Sequence, residues 1–271
     1  MNLTDVIKKE YETVQESKKE KYNLSKENEE TADKLICLFQ QSNPVGDILN
    51  SFKRGIKGLD FSYGREDIIQ LCISAKEIEN KHPLGSFEIY FGLFLSALIN
   101  VNEDKKRENE RREKKREEKS CTETKDEEEY LIITEQYTKT LRELLTQNTA
   151  NVHILGNCGG RVCSHMQKGR VTITGEVGFI GHQDGGTIIV EGNCRDQAGY
   201  ANTFGTLVIK GDALNEVGGY MYGGEMHIFG KGGNKVGDHM HGGKIYFHKE
   251  HGPIAETIKG GEIYEGDKRI Y

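Results

Sequence analysis

The sequence predicts an α+β protein of two unlike parts, an N-terminal α-helical domain with a charged helical linker and a C-terminal right-handed parallel β-helix of about six coils of 17–19 residues. Three observations carry this prediction. Glycine is scarce up to residue 150, with 6 copies, and abundant beyond it, with 27. Residues 151–271 lie over themselves at a short, nearly fixed period. Within each period apolar and polar residues alternate, the signature of a strand with one buried face.

The repeat opens with NVHILGNCGGRVCSHMQKG at Asn151 and RVTITGEVGFIGHQDGG at Arg170. Further copies start at Thr187, Thr206, Glu225 and Lys244, and a truncated EIYEGDKRIY closes the sequence. Each full copy ends in glycine, at Gly169, Gly186, Gly205, Gly224, Gly243 and Gly261, a period too short for helix–turn–helix repeats. The second and fourth residues of each are apolar: Val152/Ile154, Val171/Ile173, Ile188/Val190, Leu207/Ile209, Met226/Ile228 and Ile245/Phe247. Stacked coil on coil, they predict a continuous internal ladder.

Glycine recurs at fixed corners. The sixth position is Gly156, Gly175, Gly192, Gly211 and Gly230; a later one is Gly181, Gly199, Gly218 and Gly237; coils end in glycines such as Gly224 and Gly243. Such corners are expected where φ must be positive or backbones must approach closely. Each cluster leads into another strand rather than a long helix, which argues against a dinucleotide or P-loop site. Met166, Met221 and Met240 form another column, read as packing along an edge of the solenoid, with a partner interface as the alternative.

Residues 1–102 read as an α-helical domain with a charged N-terminal arm. Leu35, Ile36, Leu38 and Phe39 form an apolar stripe ending before Asn43-Pro44, and a second helix is expected over Arg65–Ile78. The stretch 84–101 is the most apolar in the chain. At about 18 residues, with Glu88 and Gly92 inside, it falls short of the roughly 20 a membrane span needs and predicts a buried helix. Residues 103–129 carry 22 charges and no apolar residue before Cys121, so they predict a helical or disordered linker with no coiled-coil seam. Residues 130–150 restore apolar content through Leu131, Ile132, Ile133, Tyr137, Leu141, Leu144 and Leu145 and predict a helix that, alone or with the α-domain, caps the first coil.

The net charge of −6 supplies no phosphate-neutralising field, so nucleic acid is not an expected partner, and no membrane partner is expected either. No secretory signal is evident, and six cysteines without CxxC pairs read as free thiols in a reducing compartment; the protein is expected to be cytoplasmic.

Eight of the nine histidines lie in the repeats, which raises metal binding. His165 and His239 occupy one column four coils apart, roughly 19 Å at strand spacing, so they cannot share an ion. Two local clusters survive, His153, Cys158, Cys163 and His165 in the first coil and Asp238, His239, His241, His248 and His251 near the end; neither has tetrahedral-site spacing, and no metal or other cofactor is expected on this chain. A hydrolytic triad built on Ser164-His165 lacks a G-x-S-x-G elbow and a column that supplies all three groups.

The repeated xΦxΦxG followed by glycine and then M-x-G-G, best seen in VIKGDALNEVGGYMYGG (208–224) and HIFGKGGNKVGDHMHGG (227–243), resembles the GXGXG domain that glutamate synthase carries in its large chain and that also forms one of the chains of formylmethanofuran dehydrogenase. The resemblance covers residues 151–248. It implies a right-handed β-helix without catalytic residues of its own, a spacer or scaffold inside a larger oxidoreductase complex. Residues 1–150 match neither family, and the chain carries no iron–sulfur cysteine cluster. The expected function is therefore a non-catalytic scaffold or docking subunit whose partners are other protein subunits. The alternatives are a free-standing solenoid that self-associates, and a weak hydrolase or metal-binding protein.

Overall fold

The computed structural model describes residues 24–42, 47–79, 87–116, 129–135, 137 and 140–271. Among them, four α-helices precede a parallel β-solenoid of about seven turns. The N-terminal arm and linker residues 117–128 lie outside the described residues.

Helix α1 (Lys26–Gln41) starts at a reciprocal cap, in which Ser25 Oγ accepts from the Asn28 amide and the Asn28 side chain accepts from the Ser25 amide. Helix α2 (Ile48–Lys57), not anticipated from the sequence, starts at the Asp47 cap and stops at Gly58. Helix α3 (Arg65–Ser74) runs into a 3₁₀ turn, Ala75–Ile78, and fills the expected Arg65–Ile78 segment. Helix α4 (Phe87–Arg116) joins the apolar stretch to the first part of the charged run. Residues 91–101 of α4 are all buried, and no helix among the described residues is long and apolar enough to cross a membrane. The helical core centres on Phe39, whose ring lies 5.2–6.1 Å from those of Phe52, Phe87, Phe91 and Phe94.

The solenoid wall is built from β1 (Glu129–Ile133), β2 (Asn151–Leu155), β3 (Arg170–Ile173), β4 (Asp184–Val190), β6 (Phe204–Ile209), β8 (Glu225–Ile228), β9 (Lys244–Phe247) and β10 (Glu262–Glu265), all paired in parallel in chain order. A short second ladder pairs β5 (Cys194–Asp196) with β7 (Ala213–Asn215). The register is the one the repeat dictates: Val152 pairs with Val171, Val171 with Ile188, Ile188 with Leu207, Leu207 with Met226 and Met226 with Ile245. The inward pairs from Val152/Ile154 to Ile245/Phe247 are fully buried, each side chain stabilising the fold by about 1.5–3 kcal/mol.

The expected helix over 130–150 is not there. Glu129–Ile133 is a strand that pairs in register with Asn151–Leu155, so the solenoid begins one coil earlier. Leu141, Leu144 and Leu145 are buried and recur at helix-like spacing because this coil returns inward every three or four residues. Leu141 bridges Cys158, and the Cys163 amide donates to the Leu144 carbonyl.

The open end of this first coil is covered by the α-domain. Helix α3 packs on β1, and the Tyr137 hydroxyl donates to the Cys72 carbonyl at 2.6 Å. Helix α4 lies along the rest of the edge with one residue in four. The Arg142 amide donates to the Glu88 carbonyl, a Cβ at Gly92 would lie 1.9 Å from the Arg142 carbonyl oxygen, the Ser96 hydroxyl, donating to the Gly92 carbonyl, accepts from the Thr146 amide, and the Asn100 side-chain amide donates to the Thr146 carbonyl. Polar interruptions of an apolar helix thus satisfy an edge that would otherwise template association. At the far end, β11 (Lys268–Arg269) folds back antiparallel on β10, and the Ile270 amide donates to the Ile263 carbonyl.

The sixth-position glycines explain themselves by contact. A Cβ at Gly175, Gly192, Gly211 or Gly230 would lie 2.2–2.6 Å from the carbonyl oxygen of the glycine one coil before, so the stack closes only without side chains there. Gly199, Gly218 and Gly237 instead take positive φ, 69–71°, at an inward corner.

Candidate functional site

The second coil of the repeat, opening at Arg170, departs from its neighbours. Between two inward columns it takes six steps, Val177 to Gln183, where the coils on either side take eight, Cys158 to Met166 and Cys194 to Asn202. Both deletions fall in one arc of the coil. In the flanking coils this arc carries three left-handed residues, Arg161, Cys163 and His165 or Gln197, Gly199 and Ala201; in the second coil only His182 is left-handed.

The short arc leaves a groove of about 570 Å³ in the outer surface, lined by Arg142, Glu143, Thr146, Gly160, Arg161, Ser164, His165, Phe179, His182, Gln197 and Tyr200. Its floor is aromatic: the Phe179 and Tyr200 rings meet edge to face at 6.2 Å, and His182 sits 5.7 Å from Tyr200. Gly181 makes room for them, since a Cβ there would lie 2.9 Å from Phe179 Cζ and 3.1 Å from Tyr200 Cβ. The rim is charged. Arg161 is 3.4 Å from Glu143, whose carboxyl is pushed up by burial and pulled back by Arg161 and Arg142. Arg142 has no carboxylate within ion-pair distance among the described residues. His165 Nδ1 lies 3.1 Å from Asp184 Oδ2. Burial holds the His182 imidazole below its ordinary pKa, and His165 and Arg161 push it further down.

The residues singled out from sequence fall on opposite sides of the wall. Cys158 and Cys163 point inward; burial pushes the Cys158 thiol up to about 12 and raises Cys163 as well. His165 is exposed and engaged by Asp184, and His153 is half-buried on the outer face of β2. The first metal cluster is therefore split by the backbone. In the second, His239 binds Asp238 at 2.9 Å and stacks on Tyr220, His241 stacks on Tyr222, His248 stacks on Phe229, and His251 contacts the Gly252 carbonyl and the Phe247 ring. Among the described residues no three His, Cys, Asp or Glu side chains are placed to hold one ion. His165 and Asp184 do form an acid–base pair across adjacent coils, yet no imidazole hydrogen-bonds the Ser164 hydroxyl among the described residues, so a triad is not assembled.

The methionine column packs, as read first from the sequence, and its alternative reading as an interface is the part that fails. Met166, Met221 and Met240 are fully buried and line the core, so they form no partner interface. The second and third coils place Gln183 and Asn202 in that same column, both buried. The Gln183 amide nitrogen Nε2 donates to the carbonyls of Gly185, Gly186 and Thr206, and Asn202 donates to Gln183 Oε1 at 3.3 Å. In the sequence Asn202 stands in line with the methionines, but the shortened coil puts Gln183 two positions early, so the pairing of the two is not apparent there.

On the outer sheet face, the third and fifth residues of the last coils build a ladder. His227 stacks on Tyr246 at 4.7 Å, Tyr246 on Tyr264 at 4.8 Å, and Phe229 on His248 at 4.1 Å. Phe229 is 44% exposed, and Tyr222 and Phe204, in other columns, are 56% and 68% exposed.

No protein-family model matches the chain, and no curated protein sequence matches it significantly.

Proposed function

We propose that this chain is a non-catalytic docking or scaffold subunit that presents the side of its solenoid to another protein subunit. The supporting observation is the pairing of closed ends with an open aromatic wall. The α-domain and β11 cover the two edges, whereas His227, Phe229, Tyr246, His248 and Tyr264 stand stacked along the outer sheet. Stacked rings on a rigid ladder lose little side-chain freedom on contact, and aromatic residues are enriched where proteins meet.

The repeated xΦxΦxG and M-x-G-G pattern supports a finer reading, a scaffold within an oxidoreductase complex of the glutamate synthase or formylmethanofuran dehydrogenase type. Free thiols at Cys37, Cys72, Cys158, Cys163 and Cys194 suit a cytoplasmic setting. The test is purification of the tagged full chain from its native cells at physiological salt. The expected result is stoichiometric recovery of an oxidoreductase or amidotransferase subunit, lost on Phe229→Ser together with Tyr246→Ser. Recovery of the chain alone, or bound only to itself, would contradict the reading.

A further inference from the structure

The groove over the second coil has the composition of a ligand site rather than of a docking face. We propose that it binds a small aromatic anion, a planar ring carrying one carboxylate or phosphate group, with the ring on the Phe179–Tyr200 floor and the anionic group on Arg142.

Size comes first. About 570 Å³ lies within the range of small-molecule clefts and admits a single-ring compound with a substituent. Shape follows from the missing residues. With two steps absent between Val177 and Gln183, Phe179 of the short coil and Tyr200 of the fuller coil after it stand half-buried side by side, with the fuller arc of the first coil on the other side of Phe179. Gly160 lies between the two: a Cβ there would make ordinary contact, at 3.9 Å, with Arg142 Nε, Arg142 Nη2 and Phe179 Cβ, so a larger side chain at this position would enter the space between the guanidinium and the Phe179 side chain.

Charge comes next. Arg142 and Arg161 are the two fixed cations of the lining and Glu143 its one carboxylate, while Asp184 and Glu216 stand behind it, held by His165 and Gln197, so a free guanidinium rather than net charge selects the sign. Glu143 already engages Arg161 at 3.4 Å, so Arg142, exposed and without an ion-pair partner among the described residues, is the guanidinium that offers its donor fork to a ligand. Ser164 and Gln197 border the same space, and Gln197 Nε2 is held by Glu216 at 2.8 Å. An uncharged ring gains only the floor, and a small anion without a ring gains only Arg142. The two together define the ligand class.

The experiment titrates the full chain with phenyl phosphate, benzoate, acetate and benzyl alcohol, followed by ligand-observed NMR and calorimetry. Saturable binding of phenyl phosphate or benzoate is expected, at least tenfold tighter than acetate or benzyl alcohol; whichever of the two aromatic anions binds better assigns the headgroup. Arg142→Gln removes the cation and Gly160→Leu fills the space, and each is expected to weaken binding at least tenfold with an unchanged thermal melt. The proposal is overturned by an absence of saturable binding of both aromatic anions, by acetate or benzyl alcohol binding as well as they do, or by binding that survives both substitutions. Should either variant melt early, the tenfold margins between the four compounds on the unmodified chain decide alone.

Discussion

The second coil, Arg170–Gly186, and the fourth, Thr206–Gly224, share the inward apolar pair and the sixth-position glycine, yet the second closes two positions sooner. From Thr187 onward their strands keep the common register, Ile188 pairing with Val171 on one side and Leu207 on the other, and the irregularity in the ladder is confined to a slip between Asp184 and Thr187 at the start of β4. It is absorbed in the arc. There the fourth coil carries Glu216, Gly218 and Tyr220 in left-handed backbone and puts Met221 into the core, while the second carries only His182 and puts in Gln183. The regular coils present a flush surface of stacked rings, and the short coil presents a hollow. A solenoid can therefore acquire a site by losing residues from its irregular side while the inward ladder from Thr187 on keeps its register.

The difference can be broken at glycine positions. Gly230→Ala places a Cβ 2.2 Å from the Gly211 carbonyl oxygen in the regular stack and is expected to destabilise by about 3 kcal/mol, read as a drop in the urea midpoint. Gly160→Ala, with its nearest contacts at 3.9 Å in the hollow, is expected to shift stability by no more than about 0.5 kcal/mol. Equal effects at the two sites would erase the distinction between flush and hollow coils.

A smaller effect sharpens it in the core. Gln183→Met would restore the methionine column but leave Asn202 and the carbonyls of Gly185, Gly186 and Thr206 without the Gln183 donor or acceptor. A loss of about 1–3 kcal/mol is expected, in spite of the more apolar side chain. A gain in stability would mean that the amide is tolerated rather than required.

The smallest effect concerns pH. Burial lowers the pKa values of His182 and His227, so the unfolded chain takes up protons on these residues before the folded one does. Their neutral forms support the fold fully above the unfolded value of about 6.5, and stability falls as pH drops below it. His182→Gln with His227→Gln should flatten the fall in denaturation midpoint between pH 7 and 5. An unchanged slope would assign it to other groups.

Much of the solenoid was legible because a strand with one buried face repeats every second residue, and the pairs from Val152/Ile154 to Ile245/Phe247 appear in the structure in the register they implied. The arc is harder to read. Its inward residues recur every third or fourth step, as Leu141, Leu144 and Leu145 do, which is the period of a helix. The groove was visible only as a coil that ends early, at Gly186, since Arg142, Phe179 and Tyr200 are far apart in sequence and carry no shared motif. In the helical region, Asp47 and Gly58 were present as the cap signals of α2, and Gly92, Ser96 and Asn100 spelled out a polar seam at every fourth residue of α4. The seam reads as a flaw in an apolar helix until the open edge it covers is known.

That edge offers the most direct test of a solenoid closed at both ends and available only from the side. Sedimentation of residues 129–271 should show a mass that grows with concentration beyond that of the full chain, because removing the α-domain bares β1, the Arg142 and Thr146 amides and the Thr146 carbonyl. A fragment that stays monodisperse and melts with the full chain would mean that the helices do not cap the coils.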